Sequence, residues 1–195
     1  SYNKHVLYGN SSQFVWDDFI PFEELPKELN PQRGFVSSAN QYPISNEVDY
    51  YYLPGVYWPA HRARRINNML YESTKDRVAT IEDMKNIQND NFNKYAQDIL
   101  PYLLSQELRN KINNDSLLIR VYKSLDKWKD NPVHNANMFE PTIFDAWYEE
   151  LNINVWGDLF IDENGNKNSD YYRVLPLYDR LLKVIESPDQ YYWID

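Results

Sequence analysis

Residues 92–108 read FNKYAQDILPYLLSQEL. Phe92, Tyr95, Ala96, Ile99, Leu100, Leu103, Leu104 and Leu108 recur at three- and four-residue steps, the period that stacks side chains on one face of an α-helix. This is the clearest amphipathic signal in the chain, and it sets the fold class as mainly α. Pro101 interrupts it. Proline has no N–H and crowds the carbonyl four residues back, so a kink or break is expected at Leu100. Toward the C-terminus, helices are expected over 116–127, 141–151 and 171–186, with a hairpin or tight turn at Asn164-Gly165. Toward the N-terminus, Thr80 and Asp83 make a capping-box variant, Asp in place of Glu, ahead of Ile81, Met84 and Ile87. After Trp58, the residues Ala60, Ala63, Ile66, Met69 and Leu70 also repeat at helical spacing.

The first 57 residues have a different character. Pro21, Pro26 and Pro31 forbid a helix and favour extended or turn backbone. Residues 14–16 and 35–40 are candidate strands, the second with small residues at its far end. A Tyr- and Pro-rich loop follows over 41–59, and loops of that length in compact domains are often functional. The expected organisation is an extended or β head over 1–57 and a helical body over 58–195. A strand edge needs partners for its N–H and C=O groups. The head therefore reads as part of a sheet whose other strands lie outside this chain.

A length of 195 residues allows one domain or two small ones. A domain of this size buries roughly 70% of its unfolded surface. The net charge of −9 argues against nucleic acid, which is held by Lys and Arg on phosphates, and against an anionic membrane surface. The absence of cysteine removes disulfides, thiolate metal sites and a cysteine nucleophile, and leaves the compartment open. No apolar run approaches the roughly 20 residues of a membrane span. The first residues carry no signal-peptide pattern, so a cytoplasmic, mature or excised chain is expected. With 17 Tyr and 6 Trp against 5 Gly, the composition argues for aromatic packing and against disorder.

Candidate chemistry is sparse. His5, His61 and His134 show no metal-ligand spacing, which favours surface or hydrogen-bonded histidines over a zinc site. The run 162–170, DENGNKNSD, resembles a calcium loop in composition, but Gly165 is fourth from Asp162 where an EF-hand needs its glycine sixth. A tight turn explains it better. The adjacent carboxylates Asp17-Asp18, Glu23-Glu24 and Glu149-Glu150 splay apart on either a strand or a helix and read as solubility charges. His61-Arg62-Ala63-Arg64-Arg65 is a short basic cluster in an acidic chain, and its ordinary role is a solvated helix face. Arg62 and Arg65 share a face with Ile66, which marks one of them as a candidate to point inward.

The chain carries, in order, the words PFEELP (21–26), NPQRGFVSSAN (30–40), WPAHRARRINNML (58–70), TIEDM (80–84), QND (88–90) with Tyr95-Ala96, LDKW (125–128), PTIFDAW (141–147) and WID (193–195). Together they resemble the β-chain of the penicillin acylase family. The resemblance implies an N-terminal nucleophile hydrolase with an αββα core, of which this chain is a fragment: one piece of the catalytic sheet plus a helical insertion. In such enzymes a serine freed by autoproteolysis attacks a linear amide, with its own α-amine as base. Asn40 then matches the residue whose side-chain N–H stabilises the oxyanion, a donor worth about 2.7–4 kcal/mol. Arg62 matches the arginine that orients this Asn and the amine with a fork that is always charged.

The resemblance also sets limits. Only 39 residues precede Asn40, too few for the half-sandwich that separates it from the nucleophile, so Ser1 is not expected to be that serine. No cofactor is expected in this fragment, though calcium is expected to be possible in the full-length parent. Its loop aspartate falls on Tyr51 by ungapped counting, with Glu47 and Asp49 nearby. The implied partners are the remainder of the enzyme (nucleophile-bearing part and α-chain) and a small N-acyl substrate, in an extracytoplasmic parent. The rival is a non-catalytic, aromatic-rich module that binds a peptide or glycan through Tyr50-Tyr51-Tyr52 and Tyr191-Tyr192-Trp193.

Overall fold

The computed structural model describes residues 9–10, 12, 18–44, 51, 53, 55, 57–167 and 178–187. Among them are the helices α1 (His61–Thr74), α2 (Ile81–Gln88), α3 (Lys94–Leu103), α4 (Gln106–Lys111), α5 (Ser116–Trp128), α6 (Glu140–Trp156) and α7 (Tyr178–Glu186). Short 3-10 turns occupy Phe22–Glu24 and Gly157–Phe160. The described residues contain no strand, only isolated bridges between Phe92 and Val133 and between Ile161 and Lys167. The fold is mainly α. The chain packs as two compact units, Ser1–Ile87 and Gln88–Asp195.

In the second unit α3 carries the core on two flanks. Ala96, Leu100 and Leu104 pack with Leu125 and Trp128 of α5 and with Phe144 of α6. Ile99 packs with Leu181 of α7, joined by Leu151 and Val155 of α6. Thus the period read in 92–108 feeds both clusters, and α3 is held on α7 while α5 lies on α6. The ends are capped locally. Asn93 Oδ1 accepts from Ala96 N at 3.0 Å, and Asp115 Oδ1 accepts from Leu117 N and Leu118 N at 2.9 and 3.0 Å.

Two expectations about helix ends require correction. The break falls at Leu104–Ser105, not at Leu100: α3 runs through Pro101, and Ser105 caps α4 by accepting from Leu108 N at 3.1 Å. An internal proline costs about 3 kcal/mol, but burying each of Leu100 and Leu104 contributes roughly 1.5–3 kcal/mol. Both sit on the buried flank while Pro101 is exposed, so packing outweighs the missing hydrogen bond. Helix α6 also runs past Leu151 to Trp156. Asn152 and Asn154 tolerate helix there by donating Nδ2 to the carbonyls of Tyr148 and Glu150, at 2.6 and 2.7 Å. The 171–177 part of the last expected helix lies outside the described residues, as does the candidate strand at 14–16.

The candidate strand at 35–40 is a third correction. It forms no ladder, because the described residues include no segment that supplies the alternating N–H and C=O partners a strand needs. Thus the described residues of the head are irregular rather than β.

The capping box forms as expected. Thr80 Oγ1 accepts from Asp83 N at 3.2 Å, while Asp83 Oδ2 accepts from Thr80 N and Thr80 Oγ1, each at 2.7 Å. Arg77 grips the same carboxylate with both terminal nitrogens, at 2.6 and 2.8 Å. Chiefly through Arg77, and then through Thr80, the Asp83 carboxyl is held well below the usual carboxylate range. A depressed folded value contributes stability that is complete above the ordinary Asp value. It declines only as the pH falls below about 4. Amide NMR shifts of Thr80 and Asp83 are therefore expected to stay native through pH 4 and move well below it. A cap already open at pH 5 would show that the Arg77 fork does not hold in solution.

Candidate functional site

The candidate site lies within the first unit, where the irregular head meets the start of α1. Asn40 has φ 63, in the left-handed region that Asn tolerates better than most residues. Its carbonyl accepts from Trp58 N at 2.8 Å. That bond closes the intervening loop and brings the chain into α1 beside the Asn40 turn. One turn of backbone later, Arg62 Nη2 donates to Asn40 Oδ1 at 2.8 Å and to the Ala39 carbonyl at 3.2 Å. Asn40 and Arg62 are both exposed, whereas Ala39 and Ala63 are buried.

This contact fixes the orientation of the Asn40 amide. A guanidinium only donates, so the atom facing it must be the carbonyl oxygen. The Asn40 Nδ2 group then points away from Arg62 with two N–H donors, for which no acceptor is found among the described residues. An outward-facing amide donor, held at its oxygen by a permanent cation, suits an acceptor that gains negative charge.

Two more contacts complete the turn, and no sequence signal marked either. Gln41 Oε1 accepts from Ala39 N at 2.7 Å, and Ser37 Oγ donates to Asn67 Oδ1 on α1 at 2.5 Å. Tyr42 and Tyr57 meet edge to face with centroids 4.8 Å apart, packing the two sides of the loop together. The Ser37–Asn67 and Tyr42–Tyr57 contacts join residues far apart in the chain, which spacing alone does not reveal.

The remaining candidates are distributed elsewhere. His5, Asp17, Glu47, Asp49, Tyr50, Tyr52 and Tyr191-Tyr192-Trp193 lie outside the described residues. His61 begins α1. His134 Nε2 meets Asn93 Nδ2 at 2.9 Å, and since Asn93 Oδ1 is committed to capping α3, Nε2 is the acceptor. Glu23 and Glu24 occupy an exposed 3-10 turn, and Glu149 and Glu150 are exposed on α6. Among the described residues no three His, Asp or Glu side chains gather closely enough to hold a metal. Tyr51, at the position of the implied calcium ligand, donates its hydroxyl to Glu24 Oε2 at 2.9 Å. A neutral phenol engaged as a donor does not fit the oxygen set that calcium requires.

The loop at 162–167 is a hairpin turn. Asp162 Oδ1 accepts from Asn164 N and Asn166 N at 2.9 and 2.8 Å, and Oδ2 accepts from Asn166 Nδ2 at 3.1 Å. These bonds, led by the Asn166 backbone, hold the carboxyl below the usual range. Gly165 has φ 80, which the turn requires, and its N–H donates to the Asp162 carbonyl at 2.9 Å.

The family model described as penicillin amidase matches residues 2–195. No solved structure matches the chain.

Proposed function

The chain belongs to the penicillin amidase family, and from that premise we propose that it supplies the oxyanion donor and part of the substrate cleft of an amidohydrolase that cleaves linear N-acyl amides through an acyl-serine intermediate. The observation that carries this reading is the pairing of Asn40 with Arg62, which leaves Asn40 Nδ2 as the outward donor. The nucleophilic serine and its α-amine lie on chain outside these residues. The serine oxygen adds to the amide carbonyl, and its proton passes to the α-amine. The carbonyl oxygen takes the negative charge and accepts from Asn40 Nδ2–H. Collapse of this adduct expels the amine with the proton, and water then hydrolyses the ester by the same path.

Arg62 acts through Asn40. It fixes the amide rotamer and, as a cation, polarises it, so that the donor is in place before charge develops. No cofactor takes part in this sequence. The unladdered segment at 35–40, with Val36 61% and Trp58 57% exposed, favours a partner surface formed by the rest of the enzyme. We place that parent enzyme outside the cytoplasm. Among the described residues, no helix is long and apolar enough to cross a membrane.

The test is single-turnover hydrolysis of a chromogenic phenylacetyl or aliphatic acyl amide by the complete enzyme, with intact-mass detection of an acylated serine. Arg62→Lys is expected to slow acylation roughly 10- to 100-fold, since the lysine side chain ends one bond short of where Arg62 Nη2 meets both Asn40 Oδ1 and the Ala39 carbonyl. A wild-type rate in this variant, or turnover with no acyl-serine in a burst, would overturn the reading.

A further inference from the structure

The left-handed backbone of Asn40 persists only if its surroundings over-determine it. Trp58 N holds the Asn40 carbonyl, and Arg62 Nη2 spans Asn40 Oδ1 and the Ala39 carbonyl. On the other side of the turn stands Gln41. Its Oε1 accepts from Ala39 N at 2.7 Å, so its side chain folds back across Asn40 and closes a ring from the residue after it to the residue before it. Ala39 is only 9% exposed, and among the described residues no other acceptor serves its N–H. A two-methylene arm ending in an acceptor makes this reach. An isosteric arm without oxygen would leave a shielded N–H unpaired.

We infer that Gln41 is a positioning residue for the oxyanion donor: it clamps Ala39, and through Ala39 it sets where the Asn40 amide points, without itself touching substrate. This rests on the reading of Asn40 as that donor. The mechanical link is direct. Arg62 uses one nitrogen for both the Ala39 carbonyl and Asn40 Oδ1, so a displaced Ala39 shifts the two acceptors of that nitrogen together. Displacements near 1 Å at a catalytic group cost up to about 100-fold in rate.

The test compares wild type, Gln41→Met, Gln41→Glu, Asn40→Ala and the Asn40→Ala/Gln41→Met double variant in the complete enzyme, by steady-state hydrolysis of the same chromogenic amide. Gln41→Met, of similar length and volume, is expected to lower kcat roughly 10- to 100-fold with KM nearly unchanged. Gln41→Glu restores an acceptor and is expected to recover most of kcat. Because Gln41 acts through Asn40, the double variant is expected to be no slower than Asn40→Ala alone. Full multiplication of the two losses, a rise in KM at unchanged kcat, or no rescue by Gln41→Glu would overturn the inference. If Gln41→Met does not fold, Gln41→Lys, another arm without an acceptor, is read by the same criteria. Wild-type kcat in Asn40→Ala would instead overturn the donor reading beneath it. A slow Asn40→Ala beside a fast Gln41→Met would overturn the positioning role alone.

Discussion

Replacing Asn40 by alanine in the complete enzyme is expected to slow acyl transfer about 10²–10³-fold while KM stays nearly constant. The Asn40 amide meets the carbonyl oxygen most strongly once that oxygen carries charge, so the loss falls on the transition state and spares ground-state binding. Alanine introduces a second effect, because a non-glycine residue without a short polar side chain pays about 1–2 kcal/mol at positive φ. Asn40→Gly separates the two: it accepts φ 63 without strain and removes the same donor. Both variants are expected to show the same kinetic loss. Recovery of the rate in Asn40→Gly would assign the alanine effect to backbone strain and end the donor reading.

The largest stability change is expected in the helical unit. Phe144 is fully buried, with ring centroids of Tyr95, Trp128 and Tyr148 at 5.4, 5.8 and 5.8 Å. Phe144→Ala removes the ring around which α3, α5 and α6 close, and it is expected to cost about 3–5 kcal/mol in urea unfolding. Leu159→Ala in the same unit is the control. Its side chain is 70% exposed, so a change within about 0.5 kcal/mol is expected. Equal midpoints for the two variants would mean that the Phe144 cluster is not the core of this unit.

Much of the helical structure could be read from short-range pattern. The period in 92–108 marked residues that enter both core clusters, and Thr80 with Asp83 marked a helix start through bonds that span three residues. The Asn164-Gly165 turn was equally local, since Asp162 binds donors two and four residues away. The candidate site was legible in part. The family resemblance pointed to Asn40 and Arg62, and the two side chains meet at 2.8 Å. Gln41 and the Trp58 N–H were not legible. One is a common polar residue beside the marked Asn, and the other is a backbone group present at every non-proline position.

By itself, the sequence determined most of the helices, the Thr80–Asp83 cap, the tight turn and the family. These depend on side chains within about four residues of one another or on words that survive as words. Tertiary structure decided the rest. Whether Pro101 ends α3 depends on Leu100 and Leu104 finding Leu125, Trp128 and Phe144 from other helices. Whether 35–40 becomes a strand depends on a neighbouring strand to complete its hydrogen bonds. The direction of the Asn40 amide depends on a guanidinium from α1 meeting its oxygen. In each case the deciding partner is distant in sequence, and its hydrogen bonds or buried area outweigh the local preference.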